Sequence, residues 1–249
     1  MRLNRFYLPG AVSGATMPLP DDESGHATRV LRVNEGTSIR VFDGHGHEFA
    51  AVVRSVGRSG VEVDVGEGVP APAAEARVSL TLVMAVLKGD HMDAVVRDAA
   101  MLGVTAVQPV VTERTEVQMA ALSGGRRRAR LQRVAVSSVK QCGRAVVPEV
   151  FDPVNLPVLV RQWATEPAAE RFALVEPSAG VETESVRNVA APASGAATVV
   201  VGPEGGWSGP ELHALAPLCR FVTLGARTLR ADAAPLVALT ALMTVWGEI

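Results

Sequence analysis

Val199-Val200-Val201 runs directly into Gly202-Pro203-Glu204-Gly205-Gly206-Trp207. A β-branched run that breaks into glycine and proline reads as a buried strand ending in a loop. Paired glycines remove side chains and permit φ > 0, so main-chain N–H and C=O groups can line a ligand pocket. Further on, Phe221-Val222-Thr223-Leu224 repeats the pattern before Gly225, and Ala226-Arg227-Thr228-Leu229-Arg230 follows. Two such strand ends point to one crevice at the carboxyl edge of a parallel sheet. Neither loop is a standard phosphate motif. No Lys-Ser/Thr pair follows Gly206, as a Walker A loop requires, and the Gly-x-Gly-x-x-Gly spacing is absent. On the residues alone, a tight strand-to-helix turn explains the glycines equally well.

A second chemistry is electrostatic. No acid lies between Glu116 and Glu149, but Arg126, Arg127, Arg128, Arg130, Arg133, Lys140 and Arg144 do. If the stretch is helical, Arg126, Arg130, Arg133, Lys140 and Arg144 share a face and form a stripe suited to a phosphate backbone. The plainer alternative is a solvated helix face. Arg5, His26, Arg29 and Arg32 form another basic cluster, for which structural hydrogen bonding is an equal reading. Trp207 beside the glycine loop is expected to pack rather than to stack on a base. His45, His47, His91 and His213 have no partners at metal-ligand spacing, and Cys142 and Cys219 stand alone, so no metal is expected. No Gly-x-Ser-x-Gly nucleophile motif is present.

The elements that must position these residues follow from periodicity. Residues 1–72 read as β: Ser38–Phe42 and Glu48–Val56 flank Asp43-Gly44, and Val61-Glu62-Val63-Asp64-Val65 alternates as a half-buried strand should. Pro70–Glu75 reads as a linker. From residue 76 to 249, apolar strands (Val78–Leu87, Thr105–Val110, Phe172–Val175, Thr198–Val201, Phe221–Leu224) alternate with helical patterns, which argues an α/β parallel sheet. The last helix, Ala234 to Trp246, carries Leu236, Leu239, Leu242 and Met243 at steps of three and four. The net charge of −2 does not advertise nucleic-acid binding, so local clusters must carry that argument. Two cysteines, no signal core and no run long enough to span a bilayer imply a cytoplasmic protein with free thiols.

Taken together, Gly202-Pro203-Glu204-Gly205-Gly206 and Leu224-Gly225-Ala226-Arg227-Thr228-Leu229-Arg230 resemble the RsmE family of 16S ribosomal RNA uridine N3-methyltransferases, in the SPOUT class. Arg5-Phe6-Tyr7, His26 to Arg32, Phe42-Asp43-Gly44, Lys88-Gly89, Leu102-Gly103-Val104, Glu113-Arg114 and Gln141-Cys142-Gly143-Arg144 extend the likeness over nearly the whole chain. One departure stands out: Ala231-Asp232-Ala233 occupies the place of the family's usual Thr-Glu-Thr/Ala. The resemblance implies a small N-terminal PUA-like β-barrel (1–72) and a SPOUT α/β domain (76–249) with a C-terminal trefoil knot. It implies a homodimer acting on one uridine near the 3′ end of 16S RNA in the small ribosomal subunit. It also implies S-adenosylmethionine as cofactor, held by Val201, Gly202, Pro203, Gly205, Gly206, Leu224, Gly225, Leu229 and Arg230. Uridine N3 must lose a proton before it is methylated, so Arg230 is the candidate for anion stabilisation or phosphate positioning, and Glu204 and Asp232 are the candidate bases. A carboxylate capping the next helix is an equal reading of Glu204. Two rivals stay open: a methyltransferase acting on another RNA, and a non-catalytic RNA-binding assembly protein.

Overall fold

The computed structural model describes residues 3–122, 124–166 and 169–249. They form two compact units: Met1–Glu75 with Val136–Val147, and Ala76–Ala135 with Pro148–Ile249. The linear division at 72/76 therefore misses a returning segment, 136–147, that belongs to the first unit. Nothing in its composition marks it, because what draws it there is a set of partners far away in sequence.

The first unit contains β1 (Arg5–Tyr7), β2 (Thr16–Pro18), α1 (Asp21–Arg29), β3 (Ser38–Phe42), β4 (Glu48–Gly57) and β5 (Gly60–Val69). They make a five-stranded sheet in the order β1-β3-β4-β5-β2. β1 and β3 are parallel and the other neighbours antiparallel. The alternation in β5 works as its pattern requires: Val61, Val63 and Val65 are buried, while Glu62 and Asp64 face out. The valines join Phe6, Leu8, Leu19, Ala27, Ile39, Val41 and Val53 in one core. Burying each such side chain contributes about 1.5–3 kcal/mol, which is what closes the sheet onto α1.

The second unit is built on β6 (Ser79–Ala85), α2 (His91–Met101), β7 (Ala106–Val111), α3 (Arg126–Cys142), β8 (Glu149–Val150), β9 (Val154–Asn155), α4 (Leu156–Trp163), β10 (Glu170–Leu174), β11 (Glu184–Ser185), β12 (Ala196–Val201), α5 (Gly209–Leu215), β13 (Arg220–Thr223) and α6 (Ala234–Val245). The last part of α3 belongs to the first unit. The strands order as β11-β13-β10-β12-β6-β7-β8, with β9 beside β7. Every pairing is parallel. The apolar runs that prompted an α/β reading are the strands buried on both faces; Val83, Ala173 and Val200 share one core cluster. Because β6, β12, β10 and β13 are neighbours and run the same way, the segments leaving their carboxyl ends emerge along one edge. No described helix is long and apolar enough to cross a membrane.

Candidate active site

A cavity of about 280 Å³ opens at that edge. Its wall comes from the ends of all four strands: His91 after β6, Val175 to Pro177 after β10, Val201 to Glu204 and Gly206 after β12, and Leu224 with Arg227 to Asp232 after β13. The first loop turns through a Gly206 N–H donating to the Pro203 carbonyl at 3.0 Å. Gly206 sits at φ +66°, and a Cβ there would run into the Glu176 carboxylate. A Cβ on Gly202 would come within 2.9 Å of the Trp207 indole. The glycine at 202 lets that indole lie against the main chain, where its Nε1 donates to the Leu174 carbonyl at 2.8 Å. Trp207 thus packs, as expected, and braces the loop after β12 against β10.

Gly205 and Gly225 do not line the cavity, which corrects two of the proposed cofactor contacts. Gly205 faces Arg114: its carbonyl accepts from Arg114 Nη1 at 2.9 Å, and an added Cβ would meet Arg114 Cβ at 3.0 Å. Gly225 turns at φ +114° with open space beside it, so its role is conformational. Glu204 is exposed at the cavity and does not cap the next helix. That task falls to Ser208 and Glu211, which form a reciprocal capping box at the start of α5.

Arg230 and Asp232 meet in a two-point ion pair, Nε to Oδ1 at 3.1 Å and Nη2 to Oδ2 at 3.2 Å. His91 closes on the same carboxylate, Nδ1 to Oδ2 at 3.1 Å. The hydrogen bond from Arg230, helped by its charge and that of His91, holds the Asp232 carboxyl below its ordinary range although partial burial opposes this. The Asp232 hydrogen bond in turn pushes the Arg230 guanidinium up. Asp232 is therefore ionised and a weak base at neutral pH. His91 had no visible partner in sequence; its one signal was its place just after an apolar strand.

The proposed RNA contacts divide sharply. The side chains of Arg5 and Glu48 are 3% and 0% exposed and bond at 2.7 Å. Arg5 also donates to the carbonyls of Val139, Lys140 and Arg144. Arg144 lies beyond the end of α3, is 4% exposed, and pairs with Glu75 at 2.7 Å. Lys140 pairs with Glu23 at 2.7 Å. Arg5 and Arg144 are withdrawn from solvent and Lys140 is engaged by an acid, so Arg5 leaves the N-terminal basic cluster and the expected stripe loses its last two members, Lys140 and Arg144. His26 is half-buried and makes an edge-to-face ring contact with Phe6. Arg29, Arg32, Arg126, Arg130 and Arg133 are exposed. Arg130 is balanced by Asp90 and Asp93, both at 2.6 Å. Among the described residues, no three His, Cys, Asp or Glu side chains gather as a metal site. Burial pushes the Cys219 thiol up to about 12, so it is inert.

The family model of an RNA methyltransferase domain matches residues 74–243, and that of an RNA methyltransferase PUA domain matches 19–66. The chain is 32% identical to ribosomal RNA small subunit methyltransferase E of Mycobacterium tuberculosis, over 92% of this chain and 86% of the relative. The chain belongs to the ribosomal RNA small subunit methyltransferase E family. The family's Neisseria gonorrhoeae member, solved bound to S-adenosyl methionine, superimposes with a TM-score of 0.85 at 32% identity over 98% of both chains. A Legionella pneumophila protein solved with the cofactor SAM gives 0.86 at 27% identity, again over 98% of both. Family membership accounts for the pairing of a PUA-like unit with a parallel-sheet methyltransferase unit.

Proposed function

We propose that this chain methylates N3 of one uridine in small-subunit ribosomal RNA, with S-adenosylmethionine as donor. The observation that carries the reading is the cavity at the carboxyl edge, lined by the two glycine loops and bearing the Arg230–Asp232 pair, in a chain of this family. The residues present fit the cofactor: Val201 to Glu204 and Gly206 line the wall, and a Cβ at Gly206 would fill space toward the Glu176 carboxylate. Val201, Gly202, Pro203, Gly206, Leu224, Leu229 and Arg230 would hold it. It supplies an activated methyl group that carries its own leaving group.

The chain's own work is then to position and to manage charge. Arg230 presents a fixed cation to the uridine anion that forms when N3 is deprotonated. Asp232 fixes Arg230. Glu204, exposed at the cavity, remains available to a ribose hydroxyl or to the base. Arg126, Arg130 and Arg133 on one unit, and Arg29 and Arg32 on the other, would grip the surrounding phosphates, while the target base is splayed out of its stack. The knot and the barrel that the resemblance implies belong to the same reading. So does a homodimer, with which the exposed Leu236, Val237 and Val245 on the outer side of α6 are compatible.

The test is transfer of labelled methyl from S-adenosylmethionine to small ribosomal subunits from a strain lacking this gene, with mass mapping. One new N3-methyluridine is the expected product. Cofactor binding without incorporation would redirect the search to other RNAs.

A further inference from the structure

We propose that His91 is the base that takes the proton from the uridine imide, with Asp232 as its positioning partner and Arg230 as the clamp on Asp232. This rests on the methyl-transfer reading above and names the proton acceptor that reading leaves open.

Three observations converge. His91 stands in the cavity wall, at the first residue of α2 and beside the glycine loop after β12. Its Nδ1 faces Asp232 Oδ2 at 3.1 Å. Both oxygens of Asp232 are already fixed by Arg230 at 3.1 and 3.2 Å. An ionised carboxylate can only accept, so it selects the Nδ1–H tautomer and leaves the lone pair on Nε2. An imidazole oriented in this way is the standard form of a general base working near neutral pH. Asp232 is the weaker candidate because both its oxygens are committed to Arg230, and Glu204, exposed like His91, lacks the orienting carboxylate that fixes the His91 ring.

The charges around the ring are accounted for. On its own element, Asp90 and Asp93 are engaged by Arg130, and the preceding Lys88 pairs with Glu116. From the segment before α6 come Asp232 and Arg230; Glu176, Glu204 and Arg227 complete the charged lining. In the step itself, the N3–H bond breaks and its electron pair stays on N3, which becomes the nucleophile. The proton bonds to Nε2, the imidazolium is held by Asp232, and the proton passes to water after turnover.

The test uses the full chain, His91→Gln and Asp232→Asn. Glutamine can still donate to Asp232 but cannot act as the base. Transfer by His91→Gln should fall about 10²- to 10⁴-fold near neutral pH. It should then recover about tenfold per pH unit as solvent ionises the imide, with cofactor affinity by calorimetry unchanged. Independently of turnover, nitrogen NMR of the His91 ring should report the Nδ1–H tautomer in the parent and loss of that preference in Asp232→Asn, because the accepting carboxylate has been removed. A His91→Gln profile parallel to the parent's, or a ring tautomer indifferent to Asp232→Asn, overturns the proposal. A parent chain that neither binds S-adenosylmethionine nor transfers methyl overturns the underlying reading instead.

Discussion

Arg5 and Arg144 in the first unit and Arg126, Arg133 and Arg230 in the second are the same side chain under opposite conditions. The first two are almost wholly out of water, each locked to a carboxylate at 2.7 Å. The others are exposed, and Arg230, 77% exposed, reaches its acid at the cavity rim. A buried charge must be paired because its desolvation is expensive, whereas an exposed pair adds little stability. Arg5 and Arg144 therefore help hold the first unit together, whereas Arg126, Arg133 and Arg230 stay exposed to solvent.

The largest expected effect sharpens this contrast directly. Arg5→Ala leaves the buried Glu48 with only its longer contact to Arg40 among the described ion pairs and should cost about 3–5 kcal/mol in urea unfolding. Arg40, at 3.3 Å from the same carboxylate, sets the lower end of that range. A loss below about 1 kcal/mol, no more than an exposed pair contributes, would break the comparison. Next, Arg230→Ala should lower methyl transfer about 10²- to 10³-fold while the melting temperature stays put. A matching fall in both would return Arg230 to the structural class.

Smaller still is Arg126→Ala with Arg133→Ala. RNA affinity should drop, and its log–log salt slope should flatten by roughly 1.4 to 1.8 for two lost phosphate contacts. Equal slopes in variant and parent would remove α3 from the RNA interface. The smallest effect concerns Asp43. Burial raises its carboxyl, but the N–H groups of His45 and His47 and the His47 ring outweigh this and hold it below its ordinary value. A depressed folded value adds stability above the unfolded pKa of about 4, lost as pH falls through the folded one. Acid titration of unfolding should therefore show Asp43→Asn converging on the parent below about pH 4. A constant gap would refute the assignment.

Local chemistry was legible in the sequence and distant pairing was not. The strand preceding Gly202 and the alternation of Val61 to Val65 follow from residue type and period, and Arg230 with Asp232 follows from adjacency. The arginine stripe is cut short at Lys140 and Arg144 because their acids come from elsewhere: Glu75 lies 69 residues from Arg144 and Glu23 lies 117 from Lys140. A gap without acids in one segment says nothing of the acids a fold will bring to it. His91 escaped for the same reason, since Asp232 reaches it only through the strand order. Gly205 escaped because paired glycines do not disclose which of the two faces the cavity.

Residues 136–147 complete the first unit, and this gives its birth on the ribosome a timetable. When Glu75 has been synthesised, Arg144 is still 69 residues away. The carbonyls of Val139, Lys140 and Arg144 that saturate Arg5 are equally late. At roughly 5–20 residues per second, the nascent amino-terminal sheet waits on the order of several seconds for its last partners. A fragment released at that stage would carry an incompletely satisfied interior charge, a natural client for chaperones and proteases.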